Sequence, residues 1–297
     1  MTRFLQGLYG GLGQGSVYAL IALGYVIIYK STKIISFAQP GLMLVGATAV
    51  AFLGPVYGVP FYLAVPVAMA LTAGLGMVVE RTALRPMVGK PVFVVAIITI
   101  GIDIVLRVIV NRFLGPQIRT VGDPWALSVF TIGGAAYQVR FLAMMTVTAV
   151  VVAALFAFFR SSRLGLAMRA TAFDQETALA QGISVGAVFA LSWAIAGALA
   201  ALAGMFVGTS AGIDQNSWVV ALKALPAIII GGLDSLGGAV LGGLIVGVVE
   251  ALVAAYQPQL APWLGSSFSL VSPYVVLLLV LLVRPYGLFG TPEVERV

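Results

Sequence analysis

The chain has no cysteine and no histidine. That removes disulfides, thiol or imidazole catalysis, axial histidine ligation of haem and most zinc sites. Charge is scarce too: 9% of residues are charged and only ten are acidic, where a soluble domain carries roughly 25% charged residues. An enzyme would have little to work with. What the chain has in quantity is apolar surface, with 61% hydrophobic residues and a mean hydropathy of +1.10. Most of that surface must face lipid, so the composition predicts an all-α polytopic membrane protein with membrane lipid as a constant partner. The net charge of +6 would suggest nucleic acid in a soluble protein. Here the Lys and Arg residues sit at segment ends, which makes them loop anchors and leaves no nucleic-acid partner.

A span needs roughly 20 apolar residues. Such segments fall near 6–29, 34–53, 60–79, 91–110, 140–159 and 186–208, then a Gly-interrupted pair at 218–232 and 237–256, and a last one at 271–283. About eight transmembrane helices with Gly/Pro-broken or re-entrant segments are expected. The first segment is too long for a signal-peptide core and is expected to remain as the first span. With the N-terminus outside, ten basic residues fall inside (Lys30, Lys33, Arg81, Arg85, Lys90, Arg160, Arg163, Arg169, Arg284, Arg296), against Arg3, Arg112, Arg119 and Arg140 outside. The positive-inside rule therefore sets the N-terminus out and the C-terminus in. The outside loop 111–139 is the longest, with Trp125 and Tyr137 suited to the interface. No linker divides the chain, so residues 1–297 are expected to form a single transmembrane domain.

Two places break the helical pattern. In the first, Ser36, Phe37, Ala38, Gln39, Pro40 and Gly41 interrupt an apolar run; Pro40 lacks a backbone N–H, and Gly41 lowers the cost of irregular backbone. In the second, Gly231, Gly232, Asp234 and Ser235 separate two apolar segments, with a charge at the bend. Unwound backbone at membrane depth survives only where protein or a water-filled cavity satisfies it. A break in each half points to a transport site, while kinks and small-residue packing faces are the structural alternative.

Four charged residues fall within apolar segments. Asp103 and Arg107, one turn apart, are expected to neutralise each other, with Arg107 snorkelling outward. Glu250 reads as an interfacial carboxylate or as a partner for Lys223. Lys223, just inside a half-helix, would suit a substrate carboxylate if that helix end faces a cavity, and would otherwise snorkel.

The longest polar run is RSSRLGLAMRATAFDQETALAQGISVG, residues 160–186. Its ionised side chains keep it out of hydrocarbon. Thr171 before Asp174 resembles a capping box, Glu176 sits near the positive end of a helix, and Gly182 is a plausible stop. This predicts one short surface helix between two spans, either a docking knob or a solvated loop that happens to be helical. No ATP-binding motif is present: Gly89-Lys90 is followed by Pro91 and lacks the upstream Gly and the following Ser or Thr of a P-loop. Any active transport must draw its energy from another chain.

Several segments together resemble the membrane-spanning permease of branched-chain amino acid (Liv-type) ABC importers. Gly13 to Leu20 resembles the family's first span, Ser36 to Gln39 its Asn-Phe-Ala stretch, and Glu80-Arg81 with Arg85-Pro86 its Glu-Arg and Arg-Pro pairs. Gly165 to Arg169 and Ala170, with Ala180, Gly182 and Ile183, resemble its cytoplasmic signature. Ala221 to Ala224 and the glycines from Gly231 to Gly243 resemble its Gly-rich break, and Arg284 to Gly290 its ending. The chain departs from the pattern at Ser36, Pro40 and Gly41, where the family usually has Asn, Gly and often Glu.

The resemblance implies a bacterial inner-membrane import complex of two permease chains (a related paralogue or a copy of this chain), two ATP-binding cassette ATPase subunits and an extracytoplasmic substrate-binding protein. ATP and Mg would sit on the ATPases, with no cofactor in this chain. It also implies a coupling loop at 160–186, carried by Arg163, Gly165, Arg169, Ala170, Asp174, Glu176, Ala180 and Gly182. The implied translocation path takes in Ser36, Phe37, Ala38, Gln39, Pro40, Gly41, Lys223, Gly231, Gly232, Asp234 and Ser235. Substrates in view are branched-chain or related amino acids, urea, short amides or another small organic solute. A passive small-solute channel would use the same broken helices without needing a docking loop. A membrane enzyme would require an acid or metal-ligand cluster that the chain lacks.

Overall fold

The structure is a computed structural model that describes residues 2–87, 90–125, 128–265 and 267–291, with only the backbone of Ala211; Arg296 lies outside these residues. The helices in chain order are α1 (Thr2–Thr32), α2 (Gln39–Leu53), α3 (Phe61–Val79), α4 (Val92–Leu114), α5 (Val139–Ser161), α6 (Arg163–Phe173), α7 (Gln175–Ala180), α8 (Val185–Ala211), α9 (Val219–Leu222), α10 (Ala224–Gly231), α11 (Leu236–Leu260) and α12 (Phe268–Val283). A π-helical turn at Glu80–Leu84 and a 3-10 turn at Arg85–Met87 prolong α3. One antiparallel hairpin, β1 (Val129–Ile132) with β2 (Ala135–Gln138), is the sheet structure among the described residues.

Each of the nine expected apolar segments is helical over most of its length. Six of these helices are long and apolar enough to cross a membrane: Thr2–Thr32, Phe61–Met87, Val92–Leu114, Val139–Ser161, Val185–Ser210 and Leu236–Leu260. Gln39–Leu53, Val219–Gly231 and Phe268–Val283 are shorter apolar helices. The expected span 34–53 loses its first residues because Pro40 occupies the first turn of α2, where a missing N–H costs nothing and the fixed φ suits a helix start. Proline starts this helix; it does not kink it. The loop 111–139 carries the hairpin, which is held by the Tyr9 hydroxyl donating to the Gln138 carbonyl at 2.9 Å and by Tyr9 ring contacts with Phe130, Tyr137 and Phe141.

The packing groups into two compact units, each drawn from segments far apart in sequence: Met1–Val26, Trp125–Thr148 and Leu222–Val297 in one, Ile27–Pro124 and Ala149–Ala221 in the other. In the first unit, α1 and α11 meet through small residues at four-residue spacing, Gly11 and Gly15 against Gly243 and Gly247. A Cβ on Gly247 would lie 2.3 Å from Gly15 Cα, so the backbones approach as closely as small-residue helix pairs allow. In the second unit, α8 packs on both α2 and α3, and α2 also packs on α4. Outward faces of α3, α4 and α5 stay apolar, with Tyr62, Phe93, Val108, Phe113 and Val150 all more than 60% exposed. Such faces need lipid or a partner chain.

Replacing Gly247 with leucine should force α1 and α11 apart. Overpacking by a single side chain costs about 1–3 kcal/mol or more. The expected outcome is a lower thermal midpoint and a reduced monodisperse fraction in detergent, with Gly101→Ala, where nothing lies within 4 Å, unchanged.

Candidate functional site

The polar run 160–186 folds as two helices. The Ser162 hydroxyl accepts from Gly165 N–H at 2.8 Å and starts α6, while α5 ends only one residue earlier. A side chain at Gly165 would meet the Phe158 carbonyl at 2.4 Å, so the turn needs glycine. The capping residue of α7 is Asp174: its carboxylate accepts from the N–H groups of Glu176 and Thr177 and from the Thr177 hydroxyl. The capping box expected at Thr171 is not formed, because Thr171 lies inside α6 with its hydroxyl buried and without a partner among the described residues. Gly182, at φ +80°, ends the second helix as expected. The hydrogen bonds from Thr177, and then from Glu176, hold the Asp174 carboxyl below its ordinary pKa. This cap therefore stabilises α7 above the usual carboxylate range and is lost as pH falls through the depressed value.

Arg169, Ala170, Phe173, Asp174, Thr177 and Ala178 line an open groove between α6 and α7, and Phe173 is 95% exposed at its edge. Beneath it Ala178, Ile183, Val185 and Phe189 cluster and fasten α7 to the start of α8. The Gln175 amide reaches the Ser31 carbonyl at the end of α1, at 3.5 Å. Arg163 begins α6, Glu176 is the second residue of α7, and Ala180 ends the latter.

In the first break, Ser36, Ala38, Gln39, Pro40 and Gly41 are buried and Phe37 is half-buried. Their irregular backbone is satisfied from α4. Phe37 N–H donates to the Thr99 hydroxyl at 3.0 Å and Gly41 N–H to Asp103 at 2.7 Å. Gly41 is helical, so its use is close approach rather than irregular backbone: a Cβ there would stand 3.1 Å from Asp103 Oδ1. Asp103 pairs with Arg107 at 2.7 Å, the expected pair. The Arg107 guanidinium lies 3.9 Å from the Trp218 ring centroid. The Gln39 side chain is fully buried and both ends of its amide lack a partner among the described residues, a burden of about 1–3 kcal/mol for each group. Sequence reasoning left Thr99 and Trp218 out of the site. Thr99, Asp103 and Arg107 recur every four residues on α4, which was the available signal.

In the second break, Gly231 ends α10 and Gly232 takes φ +106°, open to glycine and strained for other residues. The Ser235 hydroxyl accepts from Gly238 N–H and starts α11. The C-terminal segment docks on this turn. Leu288 and Phe289 N–H donate to the Ile230 and Gly231 carbonyls at 2.8 and 3.1 Å, and Asp234 accepts from Thr291. Residues 284–291 thus supply the partners that the end of α10 lacks. Lys223 stands at the other end of α10 and donates to Glu250 at 2.5 Å, while the Tyr18 hydroxyl donates to the other carboxylate oxygen at 2.6 Å. Of the two roles open to Glu250, the structure takes the Lys223 pair.

Asp103→Ala should leave both Gly41 N–H and Arg107 without their carboxylate. Breaking a buried pair from one side costs about 3–5 kcal/mol. Thermal unfolding of Asp103→Ala, Arg107→Ala and the double variant is expected to show the double losing clearly less than the sum.

The chain was compared with known proteins. The family model described as the branched-chain amino acid transport system permease component matches residues 7–283. The high-affinity branched-chain amino acid transport system permease protein LivH of Escherichia coli strain K12 is 33% identical over 316 residues, covering 99% of this chain and 98% of LivH. BraD of Pseudomonas aeruginosa, described in the same words, is 33% identical over 312 residues with the same coverage. Among solved structures, PsaBC from Streptococcus pneumoniae in complex with Fab has a chain that superposes with a TM-score of 0.52 at 16% identity, over 96% of this chain and 94% of that one; this likeness shows the fold alone. By the family match and these near full-length relatives, the chain belongs to the branched-chain amino acid transport system permease component family.

Proposed function

We propose that this chain forms the translocation path of an ATP-driven importer for branched-chain or related amino acids, in a bacterial inner membrane. The observation that carries the proposal is the match of the permease-component family along nearly the whole chain. The eight helices α1–α5, α8, α11 and α12 span the bilayer as one permease domain. The broken α9–α10 carries the chain back inward, so that the N-terminus lies outside and the C-terminus inside. Lys and Arg placement supports that orientation.

The α6–α7 pair is the ATPase dock. An exposed Phe173 beside Arg169 and a capped Asp174 offers an apolar anchor ringed by charge, the pattern of an interface hot spot. The Ala178–Phe189 cluster ties the dock to α8, and Gln175 ties it to α1, so a push on the loop reaches both helices. ATP and Mg belong to two ATPase partners; a second permease chain and an extracytoplasmic binding protein complete the complex. Ser36 to Gly41 and the Gly231–Ser235 turn contribute to the path. The unpartnered Gln39 amide supports that reading, since a passing polar solute or water would supply its missing hydrogen bonds.

The test is uptake in cells lacking their own importer. Phe173→Asp and Arg169→Ala are each expected to cut ATP-dependent uptake at least tenfold, with membrane insertion and pairing of permease chains unchanged. Uptake that survives both substitutions, or that continues without ATP, would favour a passive channel and contradict the proposal.

A further inference from the structure

A cavity of about 150 Å³ lies within the second compact unit, on the side that carries the α6–α7 dock. Its apolar wall includes Leu84, Val95, Phe189 and Trp193. Polar groups line the rest: Thr32 of α1, Glu80, Arg85 and Lys90 after the end of α3, Thr99 of α4 and Gln175 of α7. A dry cavity of this size holds a benzene-sized molecule, and an apolar wall with a few convergent polar groups is the general form of a small-ligand site.

The charges indicate the sign of the occupant. Glu80 and Arg85 are five residues apart, and the π-helical turn between them brings their side chains into a two-bonded pair at 3.2 and 3.0 Å. The Nη2 group of Arg85 also donates to the Gly186 carbonyl, at 2.9 Å. Glu80 is 1% exposed and its charge is balanced by Arg85 within this pair. Among the described residues Lys90 forms no ion pair, so the cavity wall keeps one unneutralised positive charge. π turns interrupt α-helices frequently at functional sites, and this one borders the cavity through Glu80 and Leu84.

We propose that this cavity binds a small branched aliphatic carboxylate, its carboxylate on Lys90 and its hydrocarbon against Val95, Phe189 and Trp193. Two sources share that chemistry: an amino acid such as the one imported, and the 2-oxo acid that deamination of it would give. Because Gln175 of the dock and Arg85, bonded to the start of α8, both line the cavity, occupancy stiffens the joint through which the ATPase would drive the helices, and it slows uptake. Binding stands on the cavity alone; the slowing rests on the importer function proposed above.

The test uses the purified permease–ATPase complex without its binding protein, in equilibrium dialysis against radiolabelled leucine in one arm and 4-methyl-2-oxopentanoate in the other. Saturable binding is expected in at least one arm, weakened tenfold or more by Lys90→Gln and by the cavity-filling Val95→Phe. Lys90 is exposed, so the first variant tests the site without burdening the fold. No saturable binding in either arm, or binding indifferent to Lys90→Gln, overturns the proposal. In proteoliposomes with the binding protein, uptake into empty vesicles reads the importer function by itself. Placing the bound acid on the dock side is expected to slow wild-type uptake at least twofold and to leave Lys90→Gln unaffected; equal rates in the wild type overturn the regulatory claim.

Discussion

Backbone N–H and C=O groups released where a helix breaks must find partners inside the protein, and this requirement organises both broken regions. Apolar surroundings offer no water, and each unmet group costs several kcal/mol. At the start of α2 the partners are the Thr99 hydroxyl and the Asp103 carboxylate of α4. At the end of α10 they are the N–H groups of Leu288 and Phe289. The C-terminal segment is therefore part of the α10–α11 turn, and its glycines serve close approach: a Cβ on Gly287 would stand 2.4 Å from the Ile229 carbonyl.

The same requirement explains where the scarce charge is spent. The three salt bridges among the described residues are Glu80–Arg85, Asp103–Arg107 and Lys223–Glu250. Each stands at a backbone irregularity: the π turn after α3, the start of α2 and the junction of α9 with α10. A buried pair adds little net stability but penalises any arrangement that separates it. The same pairs couple distant helices, since Arg85 also holds Gly186 and Asp103 also holds Gly41.

Much of this was legible in the sequence, and the failures have physical causes. Apolar length located the helices, and the charged run located the α6–α7 pair, because hydrocarbon excludes ionised groups whatever the tertiary fold. The Gly/Pro clusters marked the breaks for the same local reason. What was missed depends on contacts across the chain. Pro40 read as a breaker, yet it starts α2, because Asp103 and Thr99 receive the N–H groups around it. Thr171 read as a cap, yet α6 runs through it and Asp174 takes the role. Spacing along one segment says nothing of Trp218 lying over Arg107, nor of Tyr18 reaching Glu250 from 232 residues away. The two interleaved compact units also leave no linker to detect.

The central claim is that this chain works inside an ATP-driven import complex. It is tested most directly by purifying the chain from its native membrane under mild conditions and identifying every protein held with it. The account predicts ATP-binding cassette ATPases, a permease partner and an extracytoplasmic binding protein, with the ATPases lost when Phe173 is replaced by Asp. Recovery of the chain alone, as an oligomer that passes solute through liposomes without ATP, would contradict it.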